Sequence, residues 1–103
     1  MSESEIPLAP GRVVCARAGR DKGKLFIVVG LEAETGYALI ADGRSRRMER
    51  PKRKKVKHLQ PTKVSFTSIG ERLKEGGRVL DAELRKSLAD LSVEGVFAPK
   101  EEG

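Results

Sequence analysis

Nine cations fall within the 14 residues from Arg44 to Lys57, namely Arg44, Arg46, Arg47, Arg50, Lys52, Arg53, Lys54, Lys55 and Lys57, and Glu49 is the one acid among them. Arginine can fork onto two phosphate oxygens and lysine supplies a mobile point charge, so a run holding both types suits a polyanion. A second basic group, Arg17, Arg20, Lys22 and Lys24, surrounds Gly19 and Gly23. Glycines in such a turn let the backbone approach a phosphate closely, and plain turn geometry is the competing explanation for them. A charge run can also be a solvated face or a disordered arm. Here both ends of the run are tied to apolar segments, Tyr37 to Gly43 before it and Val56 with Leu59 at its close. Repulsion among clustered cations costs stability unless anions offset it, which favours nucleic-acid contact.

Other chemistry is sparse. His58 lies between Lys57 and Leu59 and could donate to a phosphate or stack on a base; with no second histidine and no nearby cysteine it makes a poor metal site. Cys15 is the only cysteine, which excludes an internal disulfide; strand parity with Val13 and Arg17 predicts partial exposure, and packing is its expected role. Tyr37, Phe26, Phe66 and Phe97 are the only aromatics, with Tyr37 a candidate for base stacking and the phenylalanines assigned to packing. There is no histidine and nucleophile pair, no Walker pattern and no acidic cluster suited to magnesium, so no enzyme and no cofactor is expected.

The elements that must position these groups are constrained by size. The chain has 103 residues, 21 Lys or Arg against 15 Asp or Glu, a net charge of +6 and 38% apolar residues, which limits it to one small domain with a lean core. Charge is uneven: −2 over residues 1–10, +10 over 11–63 and −2 over 64–103. Residues 1–10 read as a flexible tail without the basic start or apolar centre of a signal peptide, and no apolar run is long enough to span a bilayer. A soluble, cytoplasmic protein is the expectation.

From Gly11 onward, Arg12 to Arg17 reads as a short strand, followed by the turn at Gly19 to Gly23. Lys24 to Leu31 is apolar on both faces, so it is either a bent barrel strand or one covered on its second side. Tyr37 to Ala41 is a strand ending at Asp42 and Gly43, a pair suited to a type I′ hairpin. Arg44 to Arg50 is expected as a rim strand, with Pro51 interrupting its ladder, and Val56 to Leu59 as a last strand before Pro61. Five short strands in this space predict a small barrel over residues 11–63. Residues 64–103 read as an acidic extension with short helices. Ser68 with Glu71 has capping-box spacing, Ile69 and Leu73 share a face, and Gly76 and Gly77 stop the helix. In the second helix Asp81 caps, Asp81 pairs with Arg85, Leu84, Leu88 and Leu91 form a stripe, and Gly95 ends the segment.

Residues 11–31 resemble the KOW motif of ribosomal proteins and transcription elongation factors. Gly11 with its valine-rich strand and the turn Gly19-Arg20-Asp21-Lys22-Gly23-Lys24 carry the match. Phe26 stands where many KOW motifs have a further glycine, a departure that looks more like the ribosomal fourteen-e, six-e and twenty-seven-e branch. The segments Ala38 to Gly43 and Pro51-Lys52-Arg53-Lys54-Lys55-Val56 through Thr62 are similar to the rest of that branch's barrel. The resemblance covers about residues 11–62 and leaves the C-terminal part outside. It implies an SH3-like barrel, mainly β with a short helical extension, that binds structured RNA, expected to be ribosomal, as a ribosome-associated or translation accessory factor. The rival is a protein-interaction module in transcription or assembly, docking through the barrel or the leucine stripe. The expected binding residues are the two basic groups and His58, the expected state is a monomer, and the extension is a possible contact for the ribosome or another protein. Reversing the charge of Lys52, Arg53, Lys54 and Lys55 is expected to leave the fold intact, as for an exposed loop.

Overall fold

The computed structural model describes residues 8–32 and 34–91. Residues 1–7 of the expected tail, Gly95 and Phe97 lie outside them. Among the described residues five strands form one antiparallel sheet: β1 (Arg12–Ala16), β2 (Leu25–Glu32), β3 (Tyr37–Ala41), β4 (Lys52–Lys55) and β5 (Leu59–Ser65), in the order β4-β3-β2-β1-β5. Two helices follow, α1 (Thr67–Lys74) and α2 (Asp81–Ala89). The fold is mainly β as expected, but β4 and β5 stand at opposite edges of the ladder and do not pair, so the sheet is not closed into a barrel. A 3-10 turn, Val56–His58, bridges them: the Val56 amide donates to the Gly36 carbonyl at 2.9 Å and the His58 carbonyl accepts from the Arg17 amide at 2.8 Å.

Alternation along the strands separates two cores. Val14, Ala16, Phe26, Val28, Ala38, Ile40 and Leu59 fill one face, which the sheet encloses by its own curl with help from Leu8 and Val56. Leu8 therefore belongs to the fold and not to a frayed end. On the other face Val13, Ile27 and Ala41 pack under Ile69, Val79 and Leu84. The two-sided apolar character of β2 is thus explained, since the helices cover its second side. Curl comes with two register shifts, one in β2 between Val28 and Gly30 and one between β1 and β5 near Arg12 and Val14. At the second, the buried Thr62 hydroxyl donates to the Val13 carbonyl at 2.7 Å and accepts the Val64 amide at 3.1 Å, replacing the lost ladder bonds.

Several local expectations are corrected. No strand forms at Arg44 to Arg50, where charge density and scarce apolar content give nothing to bury; residues 42–51 are a loop, and the fourth strand is Lys52–Lys55 after Pro51. Val56 to Leu59 is not a last strand. β5 instead runs through Pro61, which the outermost position in the sheet tolerates because a missing amide there costs no partner. It also crosses the expected 63/64 boundary, so helices and sheet share one packed unit. Cys15 is buried at 8% exposure, and burial raises its thiol pKa against a smaller lowering by the Gly23 backbone.

The helices keep their faces but change their caps. α1 has Phe66 at its N-cap and no side-chain cap bond from Ser68. Gly70 is needed for contact instead, because a side chain there would overlap the Pro10 carbonyl oxygen. The helix stops as expected, with Gly76 at φ +80° and the Gly77 amide on the Arg72 carbonyl at 2.6 Å. In α2 the cap is Leu80, whose amide donates to the Glu83 carboxylate at 2.9 Å. Leu84 is fully buried, with Leu88 and Leu91 packed beside the same core, so the expected stripe is used within the molecule.

Candidate nucleic-acid interface

Antiparallel pairing brings the two basic segments to one end of the sheet. β1 ends and β2 begins at the turn 17–24, and because Ile27 pairs with Ala41, β3 delivers the loop 42–51 to that same end. The turn is built from backbone bonds, Gly23 to Ala16 at 2.9 Å and Lys24 to Asp21 at 2.9 Å, with Gly19 and Gly23 both at positive φ. Arg17, Arg20, Lys22 and Lys24 are all exposed on it. Lys24 lies 3.9 Å from Asp21, a loose pair that leaves its amine open to solvent.

The loop owes its shape to Asp42. Its carboxylate accepts the Arg44 amide at 2.9 Å, the Arg46 amide at 2.8 Å and the Ser45 hydroxyl at 3.0 Å. Burial pushes this carboxyl's pKa up, but the amides of Arg46 and Arg44 and the Ser45 hydroxyl together outweigh it and hold the value below the ordinary one. Asp42 keeps negative φ while Gly43 stands at +78°, so the expected type I′ pair is absent. Gly43 is required by proximity, since a side chain there would overlap the Asp81 carbonyl oxygen. The expected Asp81 and Arg85 pair is also replaced. Asp81 accepts the Met48 amide at 2.7 Å, and the Arg85 guanidinium donates to the Gly43 carbonyl at 2.7 Å. Helix α2 thus pins the loop at two points, leaving Arg44, Arg47 and Arg50 exposed and Arg46 half-buried.

The rest of the run divides by strand parity. Lys54 pairs across from Ala38 and is only 9% exposed, its amine donating to the Ala18 carbonyl at 2.8 Å. That bond fastens β4 to the turn 17–24 across the unclosed side of the sheet, so Lys54 supports the interface instead of presenting charge. Arg53 lies on the opposite face, 3.7 Å over the Tyr37 ring and 2.9 Å from Glu32. This contact covers a face of the ring expected to stack on a base, and the Arg53 hydrogen bond, with Thr35 adding to it, lowers the Glu32 pKa. Lys52 is half-buried, Lys55 and Lys57 are exposed, and His58 is half-buried beside Arg17 through the backbone. Residues 52–55 form a strand with one buried lysine, so they are not the exposed loop expected from the sequence.

Arg85 is the functional candidate that sequence reasoning missed, because its spacing from Asp81 suggested a pair within the helix. In the structure Lys24, Arg44 and Arg85 line a groove of about 420 Å³ with Leu25, Leu88 and Leu91. Lys24 joins this groove to the exposed Arg17, Arg20 and Lys22 of the same turn, and the Arg17 amide bond to the His58 carbonyl brings the segment of exposed Lys57 to that turn, so these residues are grouped as one basic band. Compared with models of known families and with curated proteins, the chain matches none.

Proposed function

We propose that the chain is a KOW-type RNA-binding protein that recognises structured RNA, ribosomal RNA first among candidates, with its curled sheet an open form of the SH3-like barrel. The observation carrying this reading is the convergence of the 17–24 turn and the 42–51 loop at one end of the sheet, held by backbone and carboxylate bonds that leave all their cations except the half-buried Arg46 exposed. Such a band offers charge at fixed positions and no row of open aromatics. That combination reads phosphates and shape, as RNA helices with inaccessible base edges require.

The test reverses Arg20, Lys22, Arg44 and Arg47 to Glu, avoiding Lys54, whose buried amine bonds the Ala18 carbonyl, and Arg53, which is engaged by Glu32 and the Tyr37 ring. Fluorescence anisotropy with a labelled RNA hairpin should show affinity falling by about a hundredfold or more, while the melting temperature stays near that of the parent. A folded variant binding at parental strength would overturn the assignment. Sedimentation of tagged protein through a sucrose gradient addresses the ribosomal partner: co-migration with large ribosomal particles supports it and free migration counts against it.

A further inference from the structure

We infer that the groove between the 42–51 loop and α2 accepts one unpaired nucleotide of a bound RNA, with its phosphate at Lys24, Arg44 and Arg85 and its base on Leu25, Leu88 and Leu91. This rests on the RNA-binding reading and adds a subsite to it. The groove's volume of about 420 Å³ lies in the range of small-molecule sites, roughly 300 to 1,000 Å³. Its lining joins two chemistries that a nucleotide also joins, a cationic rim and an apolar floor.

The rim keeps a positive balance despite Asp42, whose carboxylate oxygens are engaged by the Arg44 and Arg46 amides and the Ser45 hydroxyl. Arg85 spends one of its donors on the Gly43 carbonyl, and a guanidinium has four more N–H groups to offer. Lys24 and Arg44 belong both to this rim and to the basic band. A strand lying on the band therefore brings its phosphates to the edge of the groove. Only a nucleotide free of a pairing partner can turn its base onto the leucines, where dispersion and loss of apolar exposure favour any base face. The subsite should select a bulge or loop within folded RNA and discriminate little among bases.

The experiment compares a perfect RNA duplex with the same duplex carrying one unpaired nucleotide, using the full chain and two variants. Ala89 is exposed and lines the groove, so Ala89→Gln lays a longer neutral side chain across it without removing a cation; Leu91→Gln makes the floor polar. The parent should bind the bulged RNA about tenfold more tightly than the duplex, the order expected when one base face leaves water for aliphatic side chains. Each variant should lose that preference while retaining duplex affinity within about twofold. Equal affinity of the parent for both RNAs overturns the subsite and leaves the band reading standing. A bulge preference that persists in both variants also overturns it. Failure of the parent to bind either RNA overturns the RNA reading itself.

Discussion

Lys54 and Lys55 carry the same charge at adjacent positions of β4, and the pleat sends them to opposite environments. Lys54 reaches the Ala18 carbonyl at 2.8 Å while Lys55 is exposed. Lys54→Ala should destabilise the protein by about 1 to 3 kcal/mol by leaving that carbonyl without its charged donor, whereas Lys55→Ala should stay within about 0.5 kcal/mol; urea unfolding of the two variants measures the contrast. Asp42 makes a second residue-level prediction. Its pKa is depressed in the folded state, so its stabilising contribution is present above the unfolded value and is lost as pH falls through the folded one. Between about pH 6 and pH 2 the parent should lose more stability than Asp42→Asn, and urea midpoints across that range should show a flatter acid limb for the variant. Neither role was legible in the sequence. A lysine in a basic run looks like its neighbours until strand parity is known, and Asp42 looked like half of a turn until the loop it organises was seen.

Among the elements, β1, β3 and the faces of both helices were legible, because each carries a local signal: valines between turns, alternation, or leucines at helical spacing. β4 and β5 were misplaced for a physical reason. Pro51 and Pro61 suggested interruptions, yet Pro51 precedes a strand and Pro61 sits in an outer one, where position in the sheet decides what a proline costs. The helix caps failed similarly, since Asp81 and Arg85 found partners in a loop more than 30 positions away. Leu84 joins the helices to the sheet at full burial. Leu84→Ala should cost about 2 to 5 kcal/mol and loosen the 42–51 loop, because α2 holds Gly43 and Met48. Thermal unfolding with amide exchange at Met48 checks both effects. By contrast the Arg72 and Glu83 pair, two bonds at 3.1 and 2.7 Å between the helices, is solvent-exposed and screened, so its removal should leave the melting temperature almost unchanged.

For the whole molecule, net charge matters less than its placement, since the turn 17–24 and the loop 42–51 bring their exposed cations to one end of the sheet. If about 4 to 6 basic residues meet phosphate, raising salt from about 50 to 200 mM should weaken RNA binding roughly a hundred- to a thousandfold. An anisotropy series over salt reads the slope, and a shallow one would remove phosphate contact as the main source of affinity. The placement of β5 has a consequence in time as well. β1 to β4 are joined by successive turns, but the Thr62 and Val13 bond links positions 49 apart in the chain. Closing that span costs entropy before any contact rewards it, so the four-stranded meander can assemble early while β5 arrives late. Changes in β5 should accordingly shorten the lifetime of the native state while leaving the refolding rate almost untouched.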